Sequence, residues 1–254
     1  MVRTTIDLNA DVGEVDDPRR LESTLFEIVT SVNIATGAHA GNPAVMDAAV
    51  ARAADLGVRI GGHPSYPDRA GFGRRAVEMQ PERLRAELLA QLGALDAIAR
   101  ARRQRMRHVK PHGALYHRMT TDAECARAIA DVVRSFPGSV LVVPAGADAT
   151  AITAAVEAGV STVAEAFADR GYKPDATLVD RRDPGAVLTD PAAAAEQAVS
   201  IATRHRVRAT DGTWIPLRAQ TLCLHGDTPD APALGRAVRA ALEDAGVMVA
   251  ALGS

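Results

Sequence analysis

The chain reads as an α/β protein, a (β/α) barrel of seven or eight parallel strands, on three grounds. Short apolar runs and helical patterns alternate seven or eight times along its 254 residues. Helices end on glycine and pass at once into β-branched strand starts. Polar motifs follow almost every strand, which suits a barrel, where all strand ends share one bowl, better than an open doubly wound sheet with a single switch point.

Strands are expected near residues 4–9, 32–35, 58–61, 106–110, 139–143, 160–165, 220–225 and 247–251. Between them, Leu56-Gly57-Val58, Ala158-Gly159-Val160 and Ala245-Gly246-Val247 each mark a minimal helix-to-strand loop, because glycine takes the left-handed C′ conformation at little cost. Asn42-Pro43 and Asp190-Pro191 place a capping side chain before a proline at the first helical position. Leu84, Leu88, Leu92, Leu95 and Ala99 share one face of a helix between Pro81 and Arg103. Asp211-Gly212, between Val207-Arg208 and Trp214-Ile215, predicts a type I′ hairpin inserted near 205–218. No linker or composition shift divides the chain, so one barrel domain over 1–254 is expected.

Composition excludes several classes. A net charge of −2 argues against nucleic acid and anionic membrane as partners. The two cysteines, Cys125 and Cys223, are too few for a disulfide framework or a cysteine-based zinc site. The N-terminus lacks signal-peptide character and no run of 18 apolar residues occurs, so a cytoplasmic protein is expected. Of 29 basic residues only Lys110 and Lys173 are lysine.

The candidate site residues lie just past the strands. His39, His63, His112 and His225 all fall at one end of the expected barrel, with aromatic residues including Tyr66 and Tyr116 beside them, as a small-molecule pocket requires. Asp7 and Asn9 share one face of the first strand; the carboxylate is either paired with an arginine or at work. Lys110 stands at the rim beside His112, facing the interior or the helices, where an ammonium could polarise a carbonyl or hold an anion; Lys173 reads as solvated. Asp169-Arg170 forms either a carboxylate clamp for substrate or an internal loop pair, and Arg74-Arg75 offers a second arginine pair. No metal ligand set is assigned: His108 and His112 have i, i+4 spacing, but Pro111 argues against one helical turn, and whether a metal binds stays open. Walker A and G-x-G-x-x-G signatures are absent from the sequence.

Taken in order, these motifs resemble the LamB/YcsF family over nearly the whole chain. The resemblance rests on Ile6-Asp7-Leu8-Asn9 with Asp11 and Gly13-Glu14, Asn33-Ile34-Ala35, His39-Ala40-Gly41, His63-Pro64-Ser65-Tyr66-Pro67-Asp68, Gly71-Phe72-Gly73-Arg74-Arg75, Val109-Lys110-Pro111-His112-Gly113-Ala114-Leu115-Tyr116, Phe167-Ala168-Asp169-Arg170 and His225-Gly226-Asp227-Thr228-Pro229. It implies a distorted barrel similar to the glycoside hydrolase/deacetylase group, and ATP-dependent opening of the 5-oxo-L-proline lactam to L-glutamate together with 5-oxoprolinase subunits B and C. ATP would then be bound with those partners. Ala10 and Thr36 stand where the family pattern has cysteine, so neither position carries an essential thiol; Asn42 replaces an aspartate but keeps the helix cap.

On that resemblance Asp7 or Glu14 is expected as base, with Asn9, His39, His63, His112 and His225 orienting water, substrate or a metal. Lys110 with Arg170 or Arg74 would hold carboxylate or phosphoryl oxygens, and Tyr66, Tyr116, Asp169 and Asp227 would line the substrate site. Two other readings accompany it: a stand-alone metal-dependent amide or acetyl hydrolase, and a non-catalytic subunit that presents substrate to its partners.

Overall fold

The structure, a computed structural model, describes residues 4–146, 149–225 and 230–252. Strand β1 (Thr5–Val12) is buried along all but its first residue. Alternation makes that possible. Ile6, Leu8, Ala10 and Val12 enter the apolar core under the helices, whereas Asp7, Asn9 and Asp11 make their hydrogen bonds to polar side chains of other barrel strands.

β1 pairs in parallel with β2 (Ser31–Ala35), and the order continues through β3 (Arg59–His63), β4 (Met106–Val109), β5 (Val140–Pro144) and β6 (Thr162–Phe167). The antiparallel pair β7 (Arg206–Arg208) and β8 (Trp214–Pro216) stands apart, and β9 (Thr221–Leu224) then pairs with both β6 and β1. Seven parallel strands therefore close the barrel. The eighth expected strand, β10 (Met248–Val249), pairs with Thr5 and Ile6 before β9 takes over the same edge of β1 from Asp7 onward.

Helices α1 (Pro43–Leu56), α2 (Pro81–Ala101), α3 (Gly113–Thr121), α4 (Ala123–Arg134), α5 (Ala149–Glu157), α6 (Pro191–Arg204) and α7 (Ala231–Asp244) pack outside. The Asn42 side chain accepts from Val45 N at 3.0 Å to start α1, and Gly57 ends it with φ +68°. The expected leucine face of α2 is buried, and with it Gln91.

The hairpin forms where expected, but not with a type I′ turn. Such a turn needs positive φ at both central residues, and of Asp211 and Gly212 only the glycine has it. Gly212 N instead donates to Ala209 O, and the Asp211 carboxylate accepts from Thr213 N at 3.0 Å and from its hydroxyl at 2.7 Å. The result is an ordinary turn ending in a left-handed glycine, stabilised by the aspartate. No helix among the described residues is long and apolar enough to cross a membrane.

Candidate active site

The inside of the barrel is polar, and its groups are layered along the axis. In the first layer Asp7 accepts hydroxyl hydrogen bonds from Thr30, Ser31 and Thr221. Next, Asn9 donates to Thr221 Oγ1 and to Glu165 Oε1 and accepts from Asn33, whose own Oδ1 lies 2.7 Å from His108 Nε2. His108 fits only because β3 carries Gly61 opposite: a Cβ there would come within 2.1 Å of the imidazole. Burial, followed by the Lys110 charge, lowers the His108 pKa to about 3, so the ring is a neutral packing and hydrogen-bonding group. Each of these side chains has a partner, as buried polar groups require.

Above them Lys110 points into the barrel. Its Nζ meets Asp11 Oδ1 at 2.9 Å, Cys223 Sγ at 3.0 Å and Glu165 Oε1 at 3.1 Å. Burial opposes charge on this lysine, but Asp11, Cys223 and Glu165 outweigh it and raise its pKa well above the usual lysine value. Burial likewise pushes Asp11 up, and His63 and Lys110 more than offset it, holding that carboxyl well below the usual range. Glu165 also accepts from Tyr116 OH at 2.8 Å.

Asp11, Lys110 and Tyr116 floor a cavity of about 610 Å³ at the open end, whose walls include Glu14, Arg74, Phe167 and Arg170. On one side His225 Nδ1 lies 3.0 Å from Asp169 Oδ1, and Asp169 Oδ2 accepts the His225 backbone N–H at the same distance. Asp169 is completely buried, and the His225 ring stacks on Phe167. With Nδ1 donating to a carboxylate, Nε2 is the lone-pair position of the neutral ring, the arrangement of an oriented general base.

On the other side three imidazoles and a carboxylate converge. His63 Nε2 and His112 Nδ1 are 2.9 Å apart; His39 Nε2 and His112 Nδ1 lie 3.3 Å and 3.5 Å from Glu14 Oε1. His39 and His112 stack face to face at 3.8 Å, with Phe72 edge-on to both. Burial, with His63 next, lowers the His39 pKa to about 2, and burial with the neighbouring imidazoles pushes His112 down as well. The loop around them is held from outside: buried Gln91 of α2 accepts from Ser65 N and donates to Ser65 O, while Arg69 reaches the carbonyls of Gly37 and Gly41.

Of the residues expected from sequence, Glu14, His63, Lys110, His112, His225, Tyr116, Arg74 and Arg170 line the cavity, and His39 lies directly behind. Asp169 does not line it but contacts His225. Asp7 and Asn9 do not reach the cavity; they belong to the layers beneath it, so of the two carboxylates expected as base only Glu14 is brought to the open end. Tyr66 is buried and turned toward Cys125 instead. Arg75 is engaged by Asp68, and Arg170 donates to Ala186 O and Val179 O within its own loop. Asp227 lies outside the described residues. Lys173 is exposed, as expected, but stands on the cavity rim. Sequence reasoning left out Asp11, Glu165, Cys223 and Ser65. Asp11 continues the Asp7, Asn9 alternation, and Glu165 ends a predicted strand, so both had a readable signal.

A closed parallel barrel with buried ionic groups and an oriented histidine at the strand C-terminal ends has the layout of a barrel enzyme. The model of the LamB/YcsF family matches residues 6–254, and the chain belongs to that family. It is 50% identical to the 5-oxoprolinase A subunit of Methylococcus capsulatus over 98% of this chain and 96% of that protein. It is 48% identical to the protein of the same name from Chloroflexus aggregans, over 96% and 98%. The crystal structure of the lactam utilization protein from Thermus thermophilus superposes with a TM-score of 0.90 at 43% identity, covering 98% of this chain and all of that one.

Proposed function

We propose that this chain is the lactam-opening component of an ATP-dependent 5-oxoprolinase, converting 5-oxo-L-proline to L-glutamate with subunits B and C. The observation that carries the reading is the pairing, across one cavity, of a buried charged lysine with a histidine oriented by a carboxylate. The names of the relatives support the same substrate class.

Lactam hydrolysis needs positive charge at the carbonyl oxygen and a base for water. Lys110 donates hydrogens to Asp11 and Cys223 and pairs with Glu165, and the lysine hydrogen on the Cys223 thiol is the most weakly held. That hydrogen is the one a substrate oxygen takes. Buried and with its pKa raised, the thiol stays protonated and is not the nucleophile. His225 Nε2 removes a proton from water as the water oxygen bonds to the carbonyl carbon. The C–N bond then breaks, and the proton passes to the departing ring nitrogen, which becomes the amino group of glutamate. Phosphorylation of the carbonyl oxygen by ATP, completed with the partner subunits, makes that carbon electrophilic; C–N cleavage then leaves an acyl phosphate, which a second water hydrolyses to glutamate and phosphate. Arg74 and Arg170 on the wall attract the substrate carboxylate.

The test is release of glutamate from 5-oxoproline, with ATP, by this chain alone and after addition of subunits B and C. Glutamate formed with ADP and phosphate only in the mixture is the expected result; a mixture that leaves the lactam intact overturns the proposal. A second reading, hydrolysis of an amide or acetyl group by the chain alone, is favoured by the presence of both base and polarising cation in one cavity. Turnover by the isolated chain without ATP would establish it instead.

A further inference from the structure

The tautomers of the three clustered histidines are set by what each ring touches on its outer side. His63 Nδ1 lies 2.7 Å from the Lys110 carbonyl and His112 Nε2 lies 2.9 Å from the Phe72 carbonyl. A carbonyl can only accept, so both outer nitrogens carry hydrogen. Ser65 Oγ gives its single hydrogen to Tyr66 O, so its contact with His39 Nδ1 at 3.1 Å must be donated by the histidine. In the neutral rings the three inner nitrogens are then the lone-pair positions, and they converge on one another and on a carboxylate oxygen. His63 Nε2 and His112 Nδ1 face each other at 2.9 Å, and each approaches Glu14 Oε1, at 4.0 Å and 3.5 Å. Four acceptor atoms, all within 4.8 Å of one another, repel unless a cation lies between them.

We propose that His39, His63, His112 and Glu14 form a binding site for one divalent transition-metal ion of the zinc type, facing the cavity. Ligand atoms around a tetrahedral ion with bonds of ~2.0–2.1 Å stand ~3.3 Å apart. The observed separations of 2.9, 3.3, 3.5 and 4.0 Å bracket that spacing. Three imidazoles and one carboxylate form a donor set suited to zinc, cobalt or iron and poorly suited to magnesium or calcium. The outer partners, two backbone carbonyls and a hydroxyl, are those that usually orient metal-bound histidines. Asp11 Oδ2, 3.5 Å from His63 Nε2, links the cluster to Lys110. The donor set is the same whether the amide opened is an ATP-coupled lactam or another, so the site stands apart from the functional reading above.

The test is a titration of chelator-treated protein with Zn²⁺ and Co²⁺, followed by calorimetry, metal analysis and the visible spectrum. Expected are one equivalent bound, the intense absorption of four-coordinate Co²⁺, and a rise in Tm with metal. The double variant His63→Gln, His112→Gln should lose that equivalent. Ser65→Ala, which removes the hydroxyl that orients His39 together with its bond to Tyr66 O, should weaken binding by about 10–100-fold while circular dichroism confirms the fold. A wild-type chain that takes up no stoichiometric metal overturns the proposal, leaving a shared proton as the cation. Binding kept by the double variant and lost in Cys223→Ser also overturns it, and moves the ion to the Asp11, Cys223 and His225 group.

Discussion

Lys110 is held by two carboxylates and a thiol inside the barrel, so its replacement has two separable consequences. Lys110→Met leaves Asp11 and Glu165 buried without their cation, which should cost about 3–5 kcal/mol in thermal or denaturant unfolding. It should also slow lactam opening by about 10²–10³-fold, the usual effect of losing one group that stabilises a developing oxyanion. A variant with wild-type Tm would show that the carboxylates have another partner. The second residue-scale prediction concerns Asp169, which touches His225 and not the cavity floor. Asp169→Asn should lower kcat by at least about 10²-fold and leave KM nearly unchanged, because it disturbs the ring's tautomer and not substrate binding. A change confined to KM would assign Asp169 to binding.

Among the elements, β1 and β3 show how the barrel accommodates polar groups. Asp7 is buried among three hydroxyls, and burial raises its pKa above the ordinary 3.8 despite them. The folded state therefore binds this proton more tightly than the unfolded chain. Stability from Asp7 is fully present below pH 3.8 and is lost as pH rises through the higher folded pKa. Hydroxyls can accept as well as donate, so Asp7→Asn should fold, and its stability relative to wild type should improve as pH rises from about 4 to 7. Equal pH dependence of the two in urea unfolding would refute the placement. On β3, Gly61→Ala puts a methyl carbon 2.1 Å from the His108 ring and should destabilise by about 1–3 kcal/mol, measured the same way.

For the whole molecule, the barrel itself was legible because strand alternation, proline starts and glycine ends are local features. The parallel strands and the α2 leucine face fall within a few residues of expectation. The site was legible only in part. Histidines after strands pointed to one end of the barrel, but the inner nitrogen of each is chosen by Ser65, the Lys110 carbonyl or the Phe72 carbonyl. Those partners lie on other segments, out of reach of any local pattern. Asp7 misled for a related reason: strand periodicity gives the face and not the depth, and depth separates Asp7 in the lowest layer from Asp11 beside Lys110. Tyr66 sits in the right loop, but its ring turns to Cys125 of α4.

Lactam opening in this cavity is the core of the proposed function. It is tested most directly by glutamate release from 5-oxoproline and ATP in a mixture of this chain with subunits B and C, comparing wild type with His225→Asn. A rate at least about 10²-fold lower in the variant, with unchanged circular dichroism, is the predicted result. Glutamate release at the wild-type rate by the variant would exclude His225 as the base.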